Sequence, residues 1–351
     1  MNKHMIRIFL ALVLALTAVT ACHRRPLVDM QERVKLKVKV NVKAVANVTT
    51  NVYNDRIPIP SLNTDMMRVM VYDKDSKNLL TQSFLSSKDY DENGNQVLSG
   101  DLTISYGTYD FLVYNFDTPT TQVTGENNEK TILAYTQEIS PAIKSRLFGQ
   151  STKADDEFSN INYEPDHLVV AREHELHVSA HDTVVVINTT ATTIIDTYYL
   201  QIHVEGMQFA SSAMAVISGL SPSNHFGYDI RTDDPTAAVA FDLNKSTDPE
   251  LPGDNKDVLC ATFNTFGKIP EVSSELFVTF NVIDTGGNLQ SYTTSLDNIF
   301  KTEDAIERHW LIIHEETFVI HPPENPNPQT GNGGFQPRVD DWQEEEGNIV
   351  L

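Results

Sequence analysis

Apolar and polar residues alternate over most of this chain, and this period of two predicts β-strands rather than helices. The clearest run is residues 34–42, in which valine and leucine alternate with lysine and asparagine. Successive side chains of a strand point to opposite faces, so this segment is expected to bury one face in a core and expose a lysine-rich face. The same reasoning predicts strands over 67–72, 79–85, 98–106, 108–115, 174–188, 193–204, 211–217, 237–243, 258–266, 276–283, 289–295 and 310–320.

The segments between these strands favour an antiparallel arrangement. Gly286, Gly287 and Asn288 predict a hairpin turn between two of the strands. A short helix is expected over 141–147, although residues 117–165 as a whole are too polar and too weakly periodic for their elements to be assigned. No repeat of about 20–50 residues occurs and strands do not alternate with helices, which argues against solenoids, propellers and parallel α/β folds.

The predicted fold class is therefore all-β, with two tandem antiparallel β-sandwich domains. We place the N-terminal sandwich at residues 33–185 and the C-terminal sandwich at residues 186–321. Residues 322–351 begin as a linker rich in proline and glycine and end in an apolar-patterned strand or tail.

The first 32 residues are expected to be a leader and a tether rather than part of the folded body. Residues 1–21 begin with a basic stretch and continue in an apolar run that is too short to span a bilayer comfortably. Cys22 follows small residues at the end of this run, which is typical of a bacterial lipoprotein that is cleaved before the cysteine and lipidated on its thiol. Residues 22–32 would then be the tether. The alternative is an ordinary secretory signal peptide in which Cys22 has no special role.

Composition narrows the classes of partner. The chain is 40% hydrophobic, as expected of a globular protein, and carries a formal net charge of −22. This charge disfavours a nucleic-acid partner, because a phosphate backbone requires a basic surface. With Cys22 lipidated, Cys260 is the only other cysteine, so no internal disulfide is expected, and Cys260 itself lies in a predicted strand as a small buried residue.

One short segment resembles a calcium-binding loop. Asp89, Asp91, Asn93 and Gly94 match the first half of such a loop, in which alternate oxygens face one ion and glycine turns the chain. The twelfth position, which should be a bidentate glutamate, is Gly100, and the flanking segments are predicted strands. The alternative, which we favour, is a hairpin turn rich in Asp, Asn and Gly.

Three histidines, His174, His177 and His181, lie close together in sequence. On a strand the side chains of residues 174 and 177 point to opposite faces, so we expect solvent-exposed histidines rather than a zinc site. The chain also lacks the glycine elbow of a serine hydrolase and a phosphate-binding glycine loop. We therefore assign no catalytic residue, no metal and no cofactor, and expect that the protein is not an enzyme.

Two tryptophans raise the question of sugar binding. Trp310 and Trp342 could provide platforms on which sugar rings stack. Strand-like patterning flanks each of them, so packing in a core is the favoured interpretation.

Several segments resemble the fimbrillin group, the lipoprotein subunits and anchors of type V pili. They are the start of the mature chain at Cys22 (Cys-His-Arg-Arg-Pro-Leu), residues 106–115 (Tyr-Gly-Thr-Tyr-Asp-Phe-Leu-Val-Tyr-Asn), residues 213–220 (Ala-Met-Ala-Val-Ile-Ser-Gly-Leu) and residues 333–342. The similarity is greatest to the anchor and accessory branch of the group. It implies two transthyretin-like sandwiches and assembly by β-strand exchange, in which a subunit accepts an edge strand from its neighbour.

The resemblance also implies particular roles for segments of this chain. In polymerising fimbrillins a protease cuts after a basic residue near the first strand and so opens a groove. Here the removable strand would be residues 34–42, and Arg56 is the candidate site of proteolytic processing, whereas an anchor subunit keeps its lipid and is not cut. Residues 335–351 would be either the exchanged strand or the last strand of the second domain.

The expected function is that of a non-enzymatic outer-membrane lipoprotein that anchors or assists a fimbrium. Its expected partners are the membrane, through the lipid on Cys22, and other fimbrial subunits. Surface exposure is less secure than membrane attachment, because His-Arg-Arg-Pro follows Cys22 where surface lipoproteins of such bacteria often carry an acidic run. The alternative function is that of a surface carbohydrate-binding lipoprotein.

Overall fold

The computed structural model describes residues 33–43, 51–62, 64–116, 118–148, 161–233, 236–251, 253–269 and 276–323. Within them α1 (Pro141–Phe148) and α2 (Glu303–Arg308) are helical. The strands are β1 (Arg33–Lys43), β2 (Met67–Asp73), β3 (Leu79–Leu85), β4 (Ser87–Tyr90), β5 (Gln96–Ser105), β6 (Gly107–Asn115), β7 (Gln122–Thr124), β8 (Leu133–Tyr135), β9 (Ile161–Asn162), β10 (Val169–Val178), β11 (Val184–Thr193), β12 (Asp196–Glu205), β13 (Ala210–Leu220), β14 (Ser223–His225), β15 (Ile230–Arg231), β16 (Ala237–Thr247), β17 (Asp257–Thr265), β18 (Phe277–Asp284), β19 (Leu289–Ser295) and β20 (Trp310–Val319).

The first large sheet has eight strands in the order β3-β2-β6-β10-β11-β1-β5-β4. Its ladders are antiparallel except for the pair β1/β11, which is parallel. Valines, leucines and other apolar residues on one face of these strands form a continuous core. The sheet curls over this core and brings β5 close to β3. A Cβ on Gly100 of β5 would lie only 2.7 Å from the carbonyl oxygen of Phe84 in β3.

The second large sheet runs in the order β19-β18-β13-β16-β17-β12-β20, and β9 also pairs with β16. It is antiparallel except for the pairs β12/β20 and β9/β16. The edge strands β19 and β20 approach each other, since the Tyr292 hydroxyl donates to the Val319 carbonyl over 2.7 Å and the rings of Tyr292 and Phe318 lie 5.8 Å apart. This sheet therefore wraps almost fully around its own core.

A third, four-stranded sheet joins the two halves of the chain. Its order is β15-β14-β8-β7, so β7 and β8 from the first half pair with β14 and β15 from the second. The core beneath it combines side chains from both halves, among them Tyr72, Tyr114, Ile194, Phe226 and Phe266. The two halves therefore share hydrogen bonds and a hydrophobic cluster.

The all-β prediction is confirmed, and many predicted strands have nearly the observed limits. The predicted strand at 174–188 is in fact two strands, β10 and β11, separated by a turn in which Asp182 accepts a hydrogen bond from the backbone N–H of Ser179. The predicted domain junction at 185/186 lies inside β11, which pairs with β1 over its length and so belongs to the first sheet. The transthyretin-like topology stays a prediction.

The parallel pairs are a second difference from the antiparallel arrangement predicted. A parallel pair needs a long connection between its strands, and long connections carry no local pairing signal. Strands β1 and β11 meet only after the chain has built β2 to β10. Within the described residues no helix has the length and apolar character needed to cross a bilayer.

Candidate functional site

Strand β1 is the element to which the sequence assigns a role in assembly. Its side chains alternate between exposed and buried positions along its whole length. The buried members are at most 4% exposed, and they are Val34, Leu36, Val38, Val40 and Val42. All five belong to the core of the first sheet, so the predicted half-buried strand is confirmed.

Hydrogen bonding places β1 inside the sheet and not at its edge. It pairs antiparallel with β5 from Arg33 opposite Ser105 to Asn41 opposite Val97. On its other side it pairs with β11 in parallel from Lys35 opposite Val184 onwards. Strand β11 is held by β10 at only two pairs of positions. Removal of β1 would therefore separate β4 and β5 from the hydrogen-bonded rest of the sheet.

The outer face of β1 makes polar contacts with its neighbours. The Lys35 ammonium lies 2.7 Å from the Asp101 carboxylate, and both side chains are about half exposed. The Asn41 side-chain amide donates to Asp91 Oδ2 over 3.0 Å. This second contact ties β1 to the hairpin between β4 and β5.

The calcium-like segment forms that hairpin. Asp91 Oδ1 accepts hydrogen bonds from the backbone N–H groups of Asn93 and Asn95, at 2.9 and 2.8 Å. Hydrogen bonds from the side chains of Asn95 and Asn41 lower the pKa of Asp91 to about 2. Since both carboxylate oxygens already accept hydrogen bonds from the protein, the favoured hairpin interpretation agrees with the geometry.

Arg56, the candidate processing site, lies in a loop that packs against the second large sheet. Its guanidinium carbon is 4.5 Å from the centre of the Trp310 ring and 5.2 Å from that of Tyr199. Nη1 donates to Gln201 Oε1 over 3.1 Å, and Nη2 lies 3.5 Å from Asp248 Oδ2. The side chain is only 24% exposed. The loop after β1 is thus held by residues of β12, β20 and the segment after β16.

The backbone around Arg56 is also fixed. Asn54 Oδ1 accepts a hydrogen bond from the N–H of Arg56 at 2.9 Å and another from Trp310 Nε1 at 3.3 Å. The Thr262 hydroxyl donates to the Arg56 carbonyl over 3.2 Å. The next residue, Ile57, is fully buried. A protease would have to lift this whole segment away from the second sheet before it could bind it as an extended strand.

The other residues singled out from the sequence have diverse positions. Trp310 is half-buried on β20, and the guanidinium of Arg308 also lies 5.0 Å from its ring centre, so the expectation of core packing is wrong for this residue. Cys260 is a half-buried free thiol on β17. Cys22 and Trp342 lie outside the described residues, as does the segment 335–351.

The three neighbouring histidines do not converge. His177 Nδ1 lies 3.2 Å from the hydroxyl of Thr108, and His181 is exposed in the turn after β10. His174 instead faces two buried carboxylates, those of Asp110 and Glu129. Sequence analysis missed this cluster because its members come from three separate segments and no spacing links them.

Comparison with known proteins identifies the family. Residues 22–242 match the family model described as "Domain of unknown function (DUF5119)". The chain belongs to this family. It is also 23% identical over 369 aligned residues to a Bacteroides ovatus protein named "Putative fimbrium anchoring subunit Fim4B", with 98% of this chain and 97% of that protein covered.

A solved structure supports the fold. A protein from Bacteroides ovatus that carries the description "putative adhesin" superposes with a TM-score of 0.57 at 17% identity, covering 83% of this chain and 94% of its own. The fimbrial anchor protein Mfa2 from Porphyromonas gingivalis matches with a TM-score of 0.46 at 12% identity, over 84% of this chain and 93% of Mfa2. The resemblance to fimbrial proteins stated from the sequence is confirmed.

Proposed function

We propose that this chain is a non-enzymatic fimbrial anchor or accessory subunit, attached to the outer membrane by lipid on Cys22 and joined to a neighbouring subunit by strand exchange. The observation that carries the proposal is the end-to-end match to a protein named as a fimbrium anchoring subunit. The leader that ends at Cys22 supports attachment to the cell envelope. The partners are the membrane and other fimbrial subunits, with no role for nucleic acid.

The proposed anchor retains β1, whereas a polymerising subunit would lose it by cleavage after Arg56. Five apolar side chains of β1 fill the groove that a donor strand would otherwise occupy. Burial of each such side chain contributes about 1.5–3 kcal/mol to stability. An incoming strand would therefore have to displace a segment whose burial strongly stabilises the sheet. An anchor that retains β1 accepts no strand at this groove. Its contribution to strand exchange is then to donate one, and residues 335–351 are the candidate donor.

The contacts of Arg56 support retention of β1 in the same way. Cleavage after Arg56 would release β1 together with the lipidated tether. The stacking of Arg56 on Trp310 and Tyr199, with the backbone hydrogen bonds around it, opposes this cleavage. The chain stays in one piece, and the lipid stays attached to the folded body.

The carbohydrate-binding alternative receives less support. Its platform would be Trp310, but two guanidinium groups, of Arg56 and Arg308, already lie over that ring. A sugar would have to displace at least one of them before it could stack.

The first experiment determines the N-terminus of the protein isolated from outer membranes of the bacterium that makes it. Mass spectrometry is expected to find an acylated Cys22 peptide and an intact chain through Arg56. Replacement of Cys22 by serine is expected to move the protein out of the membrane fraction. A mature chain that begins at Ile57 would overturn the retention of β1, and an unmodified Cys22 would overturn the lipid anchor.

The second experiment tests strand exchange. The membrane extract is run on an SDS gel with and without boiling, because strand-exchanged fimbrial subunits are expected to resist the detergent until heated. A larger band that collapses on boiling, and that is lost when residues 335–351 are deleted, supports the tail as donor. If only a monomer band is found under both conditions, strand exchange is rejected. A deletion that lowers the stability of the monomer would instead assign the tail to the second sandwich.

A further inference from the structure

A compact polar cluster lies where the third sheet joins the first. Lys77 comes from the turn between β2 and β3, Asp110 from β6, and Glu129 from the segment between β7 and β8. His174 comes from β10, and Tyr228 from the turn between β14 and β15. Asp110 and Glu129 are almost completely buried, whereas the His174 side chain is 44% exposed. The cluster thus has two acids inside and an imidazole at the opening.

Three potential ligand atoms face one another in this cluster. His174 Nδ1 lies 3.5 Å from Glu129 Oε1 and 3.7 Å from Asp110 Oδ1. All three atoms lie within 4.8 Å of one another. A tetrahedral zinc ion with bonds of about 2.0–2.1 Å holds its ligand atoms about 3.3–3.4 Å apart. The two distances from His174 are therefore within a few tenths of an ångström of the separation that zinc requires, and the two carboxylate oxygens lie no more than 4.8 Å apart.

The remaining oxygens of both carboxylates are held by the protein. Lys77 Nζ binds Asp110 Oδ2, and it lies 3.4 Å from Glu129 Oε2. The Tyr228 hydroxyl donates to Glu129 Oε2 over 3.1 Å. Such contacts fix the orientation of metal-binding carboxylates. Asp110 Oδ1, which faces His174, also accepts a hydrogen bond from the Glu175 N–H at 2.8 Å, so among the four carboxylate oxygens only Glu129 Oε1 makes no hydrogen bond.

Glu129 Oε1 is the atom that most needs a partner. The Glu129 side chain is 1% exposed, and this oxygen makes no hydrogen bond. A buried polar atom without a partner is destabilising, and it is rare in folded proteins. A cation between Glu129, Asp110 and His174 would supply the missing partner.

The backbone holds the cluster in this arrangement. The ladder between β10 and β6 is irregular between Glu173 and Leu176, and Glu175 has a φ of 57°, so His174 lies beside the acids while His177 does not. The segment that carries Glu129 is packed tightly against the next turn, because a Cβ on Gly227 would lie 2.2 Å from the Glu129 carbonyl oxygen. The site is preformed by the fold.

Charge also favours a divalent cation. Two carboxylates face one ammonium group, so Lys77 does not balance both acids. Because Lys77 already neutralises one acid, the site is expected to bind a cation more weakly than a site with two free carboxylates would. An imidazole ligand favours zinc and related metals over calcium and magnesium, which prefer oxygen ligands.

We propose that Asp110, Glu129 and His174 bind one zinc-class divalent cation through Oδ1, Oε1 and Nδ1, with water on the exposed side. The site is separate from β1 and from the Arg56 loop, so it does not depend on the proposed anchor function. It would fasten the first sheet, through Asp110 and His174, to the segment between β7 and β8 that carries Glu129.

The test uses the full mature chain in detergent, titrated with ZnCl₂ by calorimetry and with cobalt(II) by visible absorption. We expect one equivalent of metal to bind. His174→Gln and Glu129→Gln are each expected to weaken that binding by at least about tenfold. The matched control is His177→Gln, which removes an exposed histidine of the same strand and should change the affinity by less than about twofold.

Several outcomes would overturn the proposal. These are the absence of stoichiometric binding at neutral pH, or an equal loss in the His177→Gln and His174→Gln variants. A third is an NMR titration in which His174 exchanges protons but does not respond to zinc, which would make it only an ion-pair partner of the acids. Because His174 is exposed, His174→Gln should fold normally, so the test does not depend on the stability of Glu129→Gln.

Discussion

The guanidinium carbon of Arg56 lies 4.5 Å from the centre of the Trp310 ring. This contact joins the loop that follows the first strand to the last strand of the second large sheet. A cation–π contact of this kind contributes about 0.5–2 kcal/mol, more where water is excluded. Together with the hydrogen bonds of Arg56, it therefore lowers the population of the open loop.

We expect Trp310→Leu to expose Arg56 to trypsin. Loss of about 1.4 kcal/mol from the closed loop raises its open population tenfold, and cleavage follows that population when opening is fast. The fragment that begins at Ile57, quantified by mass spectrometry, should then form about ten times faster. The control Arg308→Ala removes the other guanidinium from the ring but keeps the contacts of Arg56, and we expect less than about a threefold change. Equal rates in Trp310→Leu and the parent chain would show that the ring does not hold the loop.

We expect Leu36→Ala to destabilise the first sheet. Leu36 is fully buried on β1, and truncation of such a leucine costs about 2–5 kcal/mol through lost burial and the cavity left behind. Urea denaturation followed by circular dichroism measures the change. Lys39→Ala, on the exposed face of the same strand, should stay within about 0.5 kcal/mol. A loss below about 1 kcal/mol for Leu36→Ala would mean that β1 contributes little to the core.

Lys77→Met should be strongly destabilising. It leaves the buried acids Asp110 and Glu129 without their cation, and breaking a buried ion pair from one side costs about 3–5 kcal/mol. Lys74→Met is the control, because the Lys74–Glu175 pair at 3.0 Å is exposed and should contribute less than about 1 kcal/mol. Similar losses in the two variants, measured by urea denaturation, would contradict the role of Lys77.

Glu164 should make stability depend on pH near neutrality. Burial raises its pKa to about 7, and Oε1 accepts a hydrogen bond from the Asn264 N–H at 2.6 Å. The pKa of an unfolded glutamate is about 4.3, so the native state binds more protons between these values and stability falls as pH rises through them. The fall should amount to about 2–3 kcal/mol between pH 4.5 and 8, an estimate from the 1.36 kcal/mol that one pKa unit represents.

The variant Glu164→Gln should remove this fall in stability. The free energy of unfolding of the variant, relative to that of the parent chain, should therefore increase as pH rises. Glu205→Gln, at an exposed position of β12, should keep it. Denaturation midpoints measured at several pH values report the difference. If the curves of the parent and of Glu164→Gln run parallel, Glu164 is ionised in the native protein throughout this range.

Local patterns predicted the strands well where one face of the strand is more exposed to solvent than the other. Strand β1 alternates between exposed and buried positions and the 289–295 strand between exposed and half-buried ones, and both were found at nearly the predicted limits. The short helix at Pro141–Phe148 and the hairpin at Gly286 and Gly287 also agree with the prediction. These features depend only on residues that are close together in the sequence, so they can be predicted from a single sequence.

Features that depend on distant residues could not be predicted in the same way. β11 pairs with β1, and the third sheet combines strands from both halves, yet no local signal marks either arrangement. The cluster of Asp110, Glu129 and His174 is a similar case, since one bulge in β10 decides that His174 and not His177 faces the acids. The contacts of Arg56 with Trp310 likewise arise only from the folded arrangement.

The placement of β1 also determines how the molecule would respond to tension. With β1 bonded along both sides, a pull on Arg33 along the strand axis loads the ladders to β5 and β11 in shear. Many hydrogen bonds then bear the force together, whereas a strand peeled from an edge loses them one after another. A tether attached to this end of β1 is therefore fastened to a strand that resists pulling through both of its ladders at once.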